Sequence, residues 1–429
     1  MNELLKQVRV LDPSSQMDRI ADVLITDGVV MAVETAIADY PSNATIYEGA
    51  GLILAPGLVD LYSHSGEPGF EERETLKSLM QAAAAGGFTR ITILPDTAPA
   101  LDHLASIVGL HDQSKTLGSS PSVPSLQPWA ALTLGVKGQQ ITELAELATA
   151  DIAGFADGKP LPNLMMVRRL LEYLQPFGQP IMLWAWDQEL AGNGVMREGP
   201  DSIQIGLPGI PAIAETAALS AILECIEAIN TPVHLMRIST ARGVELIRHA
   251  KQRGLPITAS TTWMHLLLNT QMITSYDPNL RLEPPLGTPS DQSALITAVQ
   301  QGVIDAIAID HSPYTYEEKT VPFAEAPPGA IGLELALPLL WHRFVESGLW
   351  TAIELWSALS TRPAICLQQK PPAIATSPTG TPAIAQPAEM ILFDPQQRWI
   401  AQPQRLKSFA SNTPWLDQEI QGQVIKMWR

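Results

Sequence analysis

The chain has 429 residues, 46% of them hydrophobic, enough to bury one large core and a smaller one. Its 27 basic against 44 acidic side chains give a formal net charge of −17, which excludes nucleic-acid and anionic-membrane surfaces built on clustered cations. The two cysteines, Cys225 and Cys366, have no Cys or His at metal-ligand spacing and read as buried thiols of a reducing compartment, with a disulfide as the alternative.

The polar stretch from Met1 to Ser14 is not expected to act as a signal peptide, and no apolar run is long enough for a bilayer, so a cytoplasmic protein is expected. The first fifty residues read as short strands with turns, and Asp27-Gly28 between the apolar runs 23–25 and 29–33 predicts a two-residue hairpin. From Gly57 the pattern changes to apolar bursts alternating with helical stretches. Strands are predicted over 58–64, 90–95, 129–135, 152–157, 180–186, 232–239, 256–262 and 305–310. Amphipathic or Ala/Leu-rich helices are predicted over 74–85, 141–150, 164–174, 211–229, 242–252 and 291–301. Strands alternating with helical crossovers predict an α/β fold, a parallel (β/α)8 barrel of the TIM type over 56–369, in which active residues stand at strand ends. Residues 370–385, rich in Pro, Ala, Thr and Gly, read as a linker. The strand-like run 390–395 is expected to pair with the N-terminal strands, so that 1–55 and 386–429 form a small β domain. No short-period repeat is visible.

Tyr62-Ser63-His64 ends the first predicted barrel strand. Strand alternation puts positions 62 and 64 on one face, where two imidazoles could grip one metal. Tyr62 offers a phenol instead, which stays protonated near neutral pH and is a poor ligand.

Asp60-Leu61-Tyr62-Ser63-His64, Glu67-Pro68-Gly69-Phe70 and Ala82 to Thr89 resemble the opening of the dihydroorotase family, cyclic amidohydrolases that interconvert carbamoyl-aspartate and dihydroorotate in pyrimidine synthesis. The resemblance continues through Leu190 to Met196, Ile238 to Arg242, Pro284-Pro285-Leu286, Ile304 to Pro313 and Gly332-Leu333-Glu334. It implies an amidohydrolase barrel and a set of metal-ligand positions. His64, Asp157 and Asp310 match retained ligands, Asp310 also matching the general base, while Tyr62, Trp184 and Arg237 stand where histidine ligands are expected. His234 and Trp186 fall beside ligand positions, Trp186 at a place usually acidic. On the substrate side the resemblance puts Gly66 in place of an arginine, Asp96 in place of an asparagine, Gly287 in place of an arginine and Tyr314 in place of a histidine. A carboxylate where an arginine fork is lost reverses the pocket's sign toward an anion. His234 and His311 read as structural or supporting groups, and His265 as a packed core histidine.

Asp157 and Asp310 facing one pocket need a countercharge, and Arg237 is expected to supply it, with Trp184 filling part of the volume. The expected function is therefore a catalytically inert dihydroorotase homologue with a degenerate metal centre. The resemblance implies that such a member is a structural partner of aspartate carbamoyltransferase, needing no cofactor and assembling as a homo-oligomer. The other reading is an active dihydroorotase, or another zinc-dependent cyclic amidohydrolase, with an atypical site.

Overall fold

In the computed structural model, which describes residues 2–117, 123–374 and 388–429, the two chain ends build one sheet. β1 (Asn2–Asp12), β2 (Met17–Thr26) and β3 (Val29–Glu34) are antiparallel neighbours, and β4 (Thr45–Glu48) and β5 (Ile53–Pro56) run parallel to β1. Asp27 and Gly28 both take left-handed backbone, φ 50° and 75°, which matches the right-handed twist of the strands they join. Leu5, Val10, Val23 and Val33 form a core with Leu392 and Trp428 from the far end of the chain.

The second unit is a ring of eight parallel strands. β6 (Leu58–Val59), β7 (Phe88–Ile93), β8 (Ser125–Ala130) and β9 (Gly154–Phe155) form one arc. A parallel bridge from Phe155 to Ile181 leads to β10 (Met182–Trp184). A side excursion follows, with the two-stranded ladder of β11 (Met196–Arg197) and β12 (Gly209–Ile210). The second arc continues with β13 (Val233–Met236), β14 (Ile257–Thr262) and β15 (Ala306–Ala308). The ring closes where Asp310 N donates to Tyr62 O at 3.1 Å and His64 N donates to His311 O at 2.8 Å. Helices Leu76–Ala85, Leu104–Thr116, Leu144–Leu147, Leu164–Leu174, Ile213–Ile229, Ala241–Gln252 and Pro289–Gln300 make the crossovers. Inside the ring, bulky Trp129, Tyr62 and Met182 pack against small Ala156, Ala306 and Ala308, as a filled barrel interior requires. The chain then returns to the first sheet as β16 (Met390–Ile400) and β17 (Glu419–Trp428), β16 lying antiparallel to β5.

The expected (β/α)8 architecture is the observed one, with shorter elements. The helix expected over 141–150 contracts to Leu144–Leu147, because Thr142 N donates to Leu132 O at 3.1 Å and anchors the segment outside a helix. Leu104–Thr116 was not expected: it holds Gly109 and buries only Ile107 and Leu110, so its apolar periodicity is faint. Residues 375–385 of the expected linker lie outside the described residues. Both cysteines are free, Cys366 buried as expected but Cys225 only half-buried on the outer helix Ile213–Ile229. Among the described residues no helix is long and apolar enough to cross a membrane.

Candidate functional site

Two charged residues leave strand ends with left-handed backbone: Arg237 after β13, φ 59°, and Asp310 after β15, φ 52°. A non-glycine residue there costs roughly 1–2 kcal/mol, so neighbours must hold it. Tyr62 holds both. Its carbonyl accepts from Asp310 N (3.1 Å) and its hydroxyl accepts from Arg237 N (3.2 Å), with Ser260 Oγ 3.2 Å away. Burial drives the phenol well above its ordinary range, so it stays protonated. Below it, neutral His234 bridges Thr258 Oγ1 and Ser260 Oγ, each at 2.8 Å, burial pushing its pKa down to about 3.

Arg237 closes on Asp310 as a fork. Nε donates to Oδ2 at 2.8 Å and Nη2 to Oδ1 at 2.6 Å, while Nη1 donates to Gly158 O at 2.9 Å. Burial alone would raise the Asp310 pKa; Arg237, and after it His64, outweigh burial and hold the carboxyl far below the usual range. His64 Nδ1 lies 2.8 Å from Asp96 Oδ2, and Nε2 lies 3.6 Å from Asp310 Oδ1. Burial disfavours the imidazolium, but the Asp96 and Asp310 carboxylates prevail and push His64 up to about 9. Arg237 Nη2, 3.2 Å from Nε2, could donate to a neutral ring; with the ring held protonated, Asp310 Oδ1 serves both cations. Two cations and two carboxylates thus balance one another. The Arg237 guanidinium also lies 4.9 Å from the Trp184 ring centroid, and Trp184 stacks on Trp186 at 5.5 Å.

These groups line a cavity of about 160 Å³ at the strand ends, shared by His64, Asp96, Trp184, Arg237, Asp310 and Tyr314. The Tyr314 ring lies between Arg73 and Lys319, each 5.1 Å from its centroid, and burial pushes its pKa up to about 12.

Besides Tyr62, fully buried behind the ion pair it braces, three expected site residues do not line this cavity. Asp157 does not share the cavity with Asp310: Oδ1 accepts from Leu132 N (2.8 Å) and Thr133 N (3.0 Å), and Oδ2 from Thr133 Oγ1 (2.5 Å). Burial outweighs these bonds and pushes its pKa up to about 6. A Cβ at Gly66 would meet Glu74 O at 2.3 Å and Phe70 O at 2.6 Å, so this position belongs to a tight loop. A Cβ at Gly287 would meet Asp291 Cβ at 2.6 Å. Sequence reasoning missed Lys159 and Glu283, which line the cavity and stand next to motifs already noted, Asp157-Gly158 and Pro284-Pro285. His265 is packed as expected, between Thr262 Oγ1 (2.7 Å) and Pro285 O (3.2 Å), yet it also lines the cavity.

The donor set does not fit a bound zinc ion. A zinc site brings three or more N, S or O donors together, and among the described residues no group of three or more His, Cys, Asp or Glu side chains does so. A guanidinium occupies both oxygens of Asp310, and the amides of 132–133 take up Asp157. Outside the cavity, His311 Nδ1 accepts from Gly332 N at 3.1 Å, leaving Nε2–H toward Glu74 at 3.4 Å, a supporting role.

A family model described as Dihydro-orotase-like matches residues 51–242. The chain is 44% identical to a dihydroorotase-like protein of Synechocystis sp., covering 98% of each chain, and 36% identical to the dihydroorotase of Pelobacter propionicus, covering 99% of this chain and 97% of that one. Among solved structures, L-hydantoinase (dihydropyrimidinase) from Arthrobacter aurescens superposes with a TM-score of 0.80 at 20% identity, over 99% of this chain and 94% of that one. Dihydropyrimidinase from Brevibacillus agri gives 0.79 at 18% identity, over 100% and 93%. These two likenesses show the fold.

Proposed function

This chain belongs to the dihydroorotase family, and from that premise we propose that it is a member whose centre has exchanged metal chemistry for an internal ion pair. It would serve de novo pyrimidine synthesis as a structural partner of aspartate carbamoyltransferase, in the cytoplasm and as a homo-oligomer. The observation that carries this reading is the Arg237 fork on Asp310. A general base must be free to take a proton, and Asp310 is held ionised with both oxygens occupied. Arg237 also repels an incoming cation. With Asp96 bound to His64 and no side chain at Gly66 or Gly287, the one arginine lining the cavity among the described residues is Arg237, whose fork is already taken by Asp310 and not free for a dianionic substrate.

The test is turnover in both directions with zinc, cobalt or manganese added, together with elemental analysis after dialysis against a chelator. No turnover and less than stoichiometric zinc are expected. Co-expression with aspartate carbamoyltransferase is expected to give one complex of fixed stoichiometry. Histidines placed at Tyr62, Trp184 and Arg237 together are not expected to restore activity, because the substrate contacts stay absent. A second reading, an active cyclic amidohydrolase with an atypical site, is favoured by full-length relatives that carry the name dihydroorotase at 34–36% identity. Robust turnover by the unaltered protein, abolished by Asp310→Ala, would establish that reading instead.

A further inference from the structure

A second cavity, of about 400 Å³, lies where the helix Leu76–Ala85 ends against β16 and β17. Its wall carries Arg398, Arg405 and Lys407 beside the amides of Gln397, Gln404 and Gln423, all able to donate hydrogen bonds. Arg398 donates to Glu419 at 3.0 Å. Among the described residues neither Arg405 nor Lys407 forms a salt bridge, and the one carboxylate acting on the Lys407 side chain, electrostatically and without contact, is Glu334, in a chain where acidic side chains outnumber basic ones 44 to 27. The one acid on the wall, Glu334, turns Oε1 to Lys407 N (2.8 Å) and Ser408 N (2.9 Å), and burial pushes its pKa up to about 7, so it carries only part of a negative charge. Trp399, largely buried in the core, and Val424 add apolar lining, the indole fixed by its N–H donating to Gly422 O at 3.0 Å.

Cations without a salt bridge on an acidic protein attract an anion, and an arginine fork matches the oxygens of phosphate. One carboxylate would satisfy one cation and leave most of this volume empty, whereas the volume falls in the range of sites for whole small molecules. We propose that this cavity binds a phosphate-bearing small molecule of about nucleotide size, its anionic oxygens held by Arg405 and Lys407 and its apolar part against Trp399. The site shares no lining residue with the cavity at the barrel centre and stands whether or not that centre is inert.

The experiment is isothermal titration of the full chain with inorganic pyrophosphate and with ATP, repeated on Arg405→Gln, Lys407→Gln and, as a remote control, Arg242→Gln. Circular dichroism establishes that each variant is folded. Saturable binding of at least one probe is expected, weakened about tenfold or more (about 1.4 kcal/mol) by either wall variant and unchanged by the control. No saturable binding of either probe, or binding that Arg405→Gln and Lys407→Gln leave intact, overturns the proposal. Equal weakening by Arg242→Gln, marking diffuse electrostatics, overturns it as well.

Discussion

Asp310 and Asp157 are both buried, or nearly so, at the ends of barrel strands, and the fold treats them in opposite ways. Asp310 receives a permanent cation at two points and a protonated imidazole beside it, so its charge is kept. Asp157 receives only neutral donors, two amides and a hydroxyl, and its proton affinity rises instead. Hydrogen bonds from neutral groups solvate a buried charge less completely than a countercharge does. One carboxylate is thus a fixed ion and the other a titratable group, on the same rim.

Removing the countercharge breaks the comparison most severely. Arg237→Met strands the Asp310 charge and is expected to lower unfolding free energy by about 3–5 kcal/mol in urea titrations, whereas Arg237→Met with Asp310→Leu is expected to lie close to the unaltered protein. A single variant within about 0.5 kcal/mol of wild type would mean that the pair does not hold the centre.

The pH dependence of stability sharpens the contrast. His64 has a raised folded pKa, so its contribution is complete below about 6.5 and is lost as pH rises through about 9. The expected loss on that alkaline limb reaches about 3 kcal/mol, and His64→Gln should flatten it. Asp157 is also raised, so its contribution is present below about 4 and fades as pH rises through about 6. Asp157→Asn is expected to remove a slope worth about 3 kcal/mol in that window, leaving the alkaline limb untouched. Asp310, lowered, acts in the other sense: its contribution is present above about 4 and is lost as pH falls further.

The smallest expected effect is at the brace. Tyr62→Phe removes the hydroxyl that accepts from Arg237 N but keeps the carbonyl that accepts from Asp310 N. A loss of about 1 kcal/mol is expected from thermal unfolding. A loss as large as that of Arg237→Met would make Tyr62, not the ion pair, the holder of the centre.

The frame was legible in the sequence because each strand and most crossover helices carry their own apolar period, and local pattern is what a sequence displays. A pairing of Arg237 with one of the two aspartates, Asp310 or Asp157, was also anticipated from the positions the family resemblance gave them, and the structure selects Asp310. Asp157 misled. Its match to a ligand position by family resemblance says nothing of where the carboxylate points, and Leu132 and Thr133, which capture it, lie on the neighbouring strand's exit. Lys159 and Glu283 were overlooked because neither belongs to a motif, although both face the cavity.

By itself the sequence determined the alternation of strands and helices, the hairpin at Asp27-Gly28 and the placing of Tyr62, Trp184 and Arg237 at the ends of barrel strands. Only the tertiary structure decided what those residues do there. The left-handed turns at Arg237 and Asp310 and the brace from Tyr62 join residues up to 248 positions apart, from strands 1, 6 and 8 of the ring. Side-chain direction at a strand end depends on which neighbours satisfy its backbone, and closing the barrel is what brings those neighbours together.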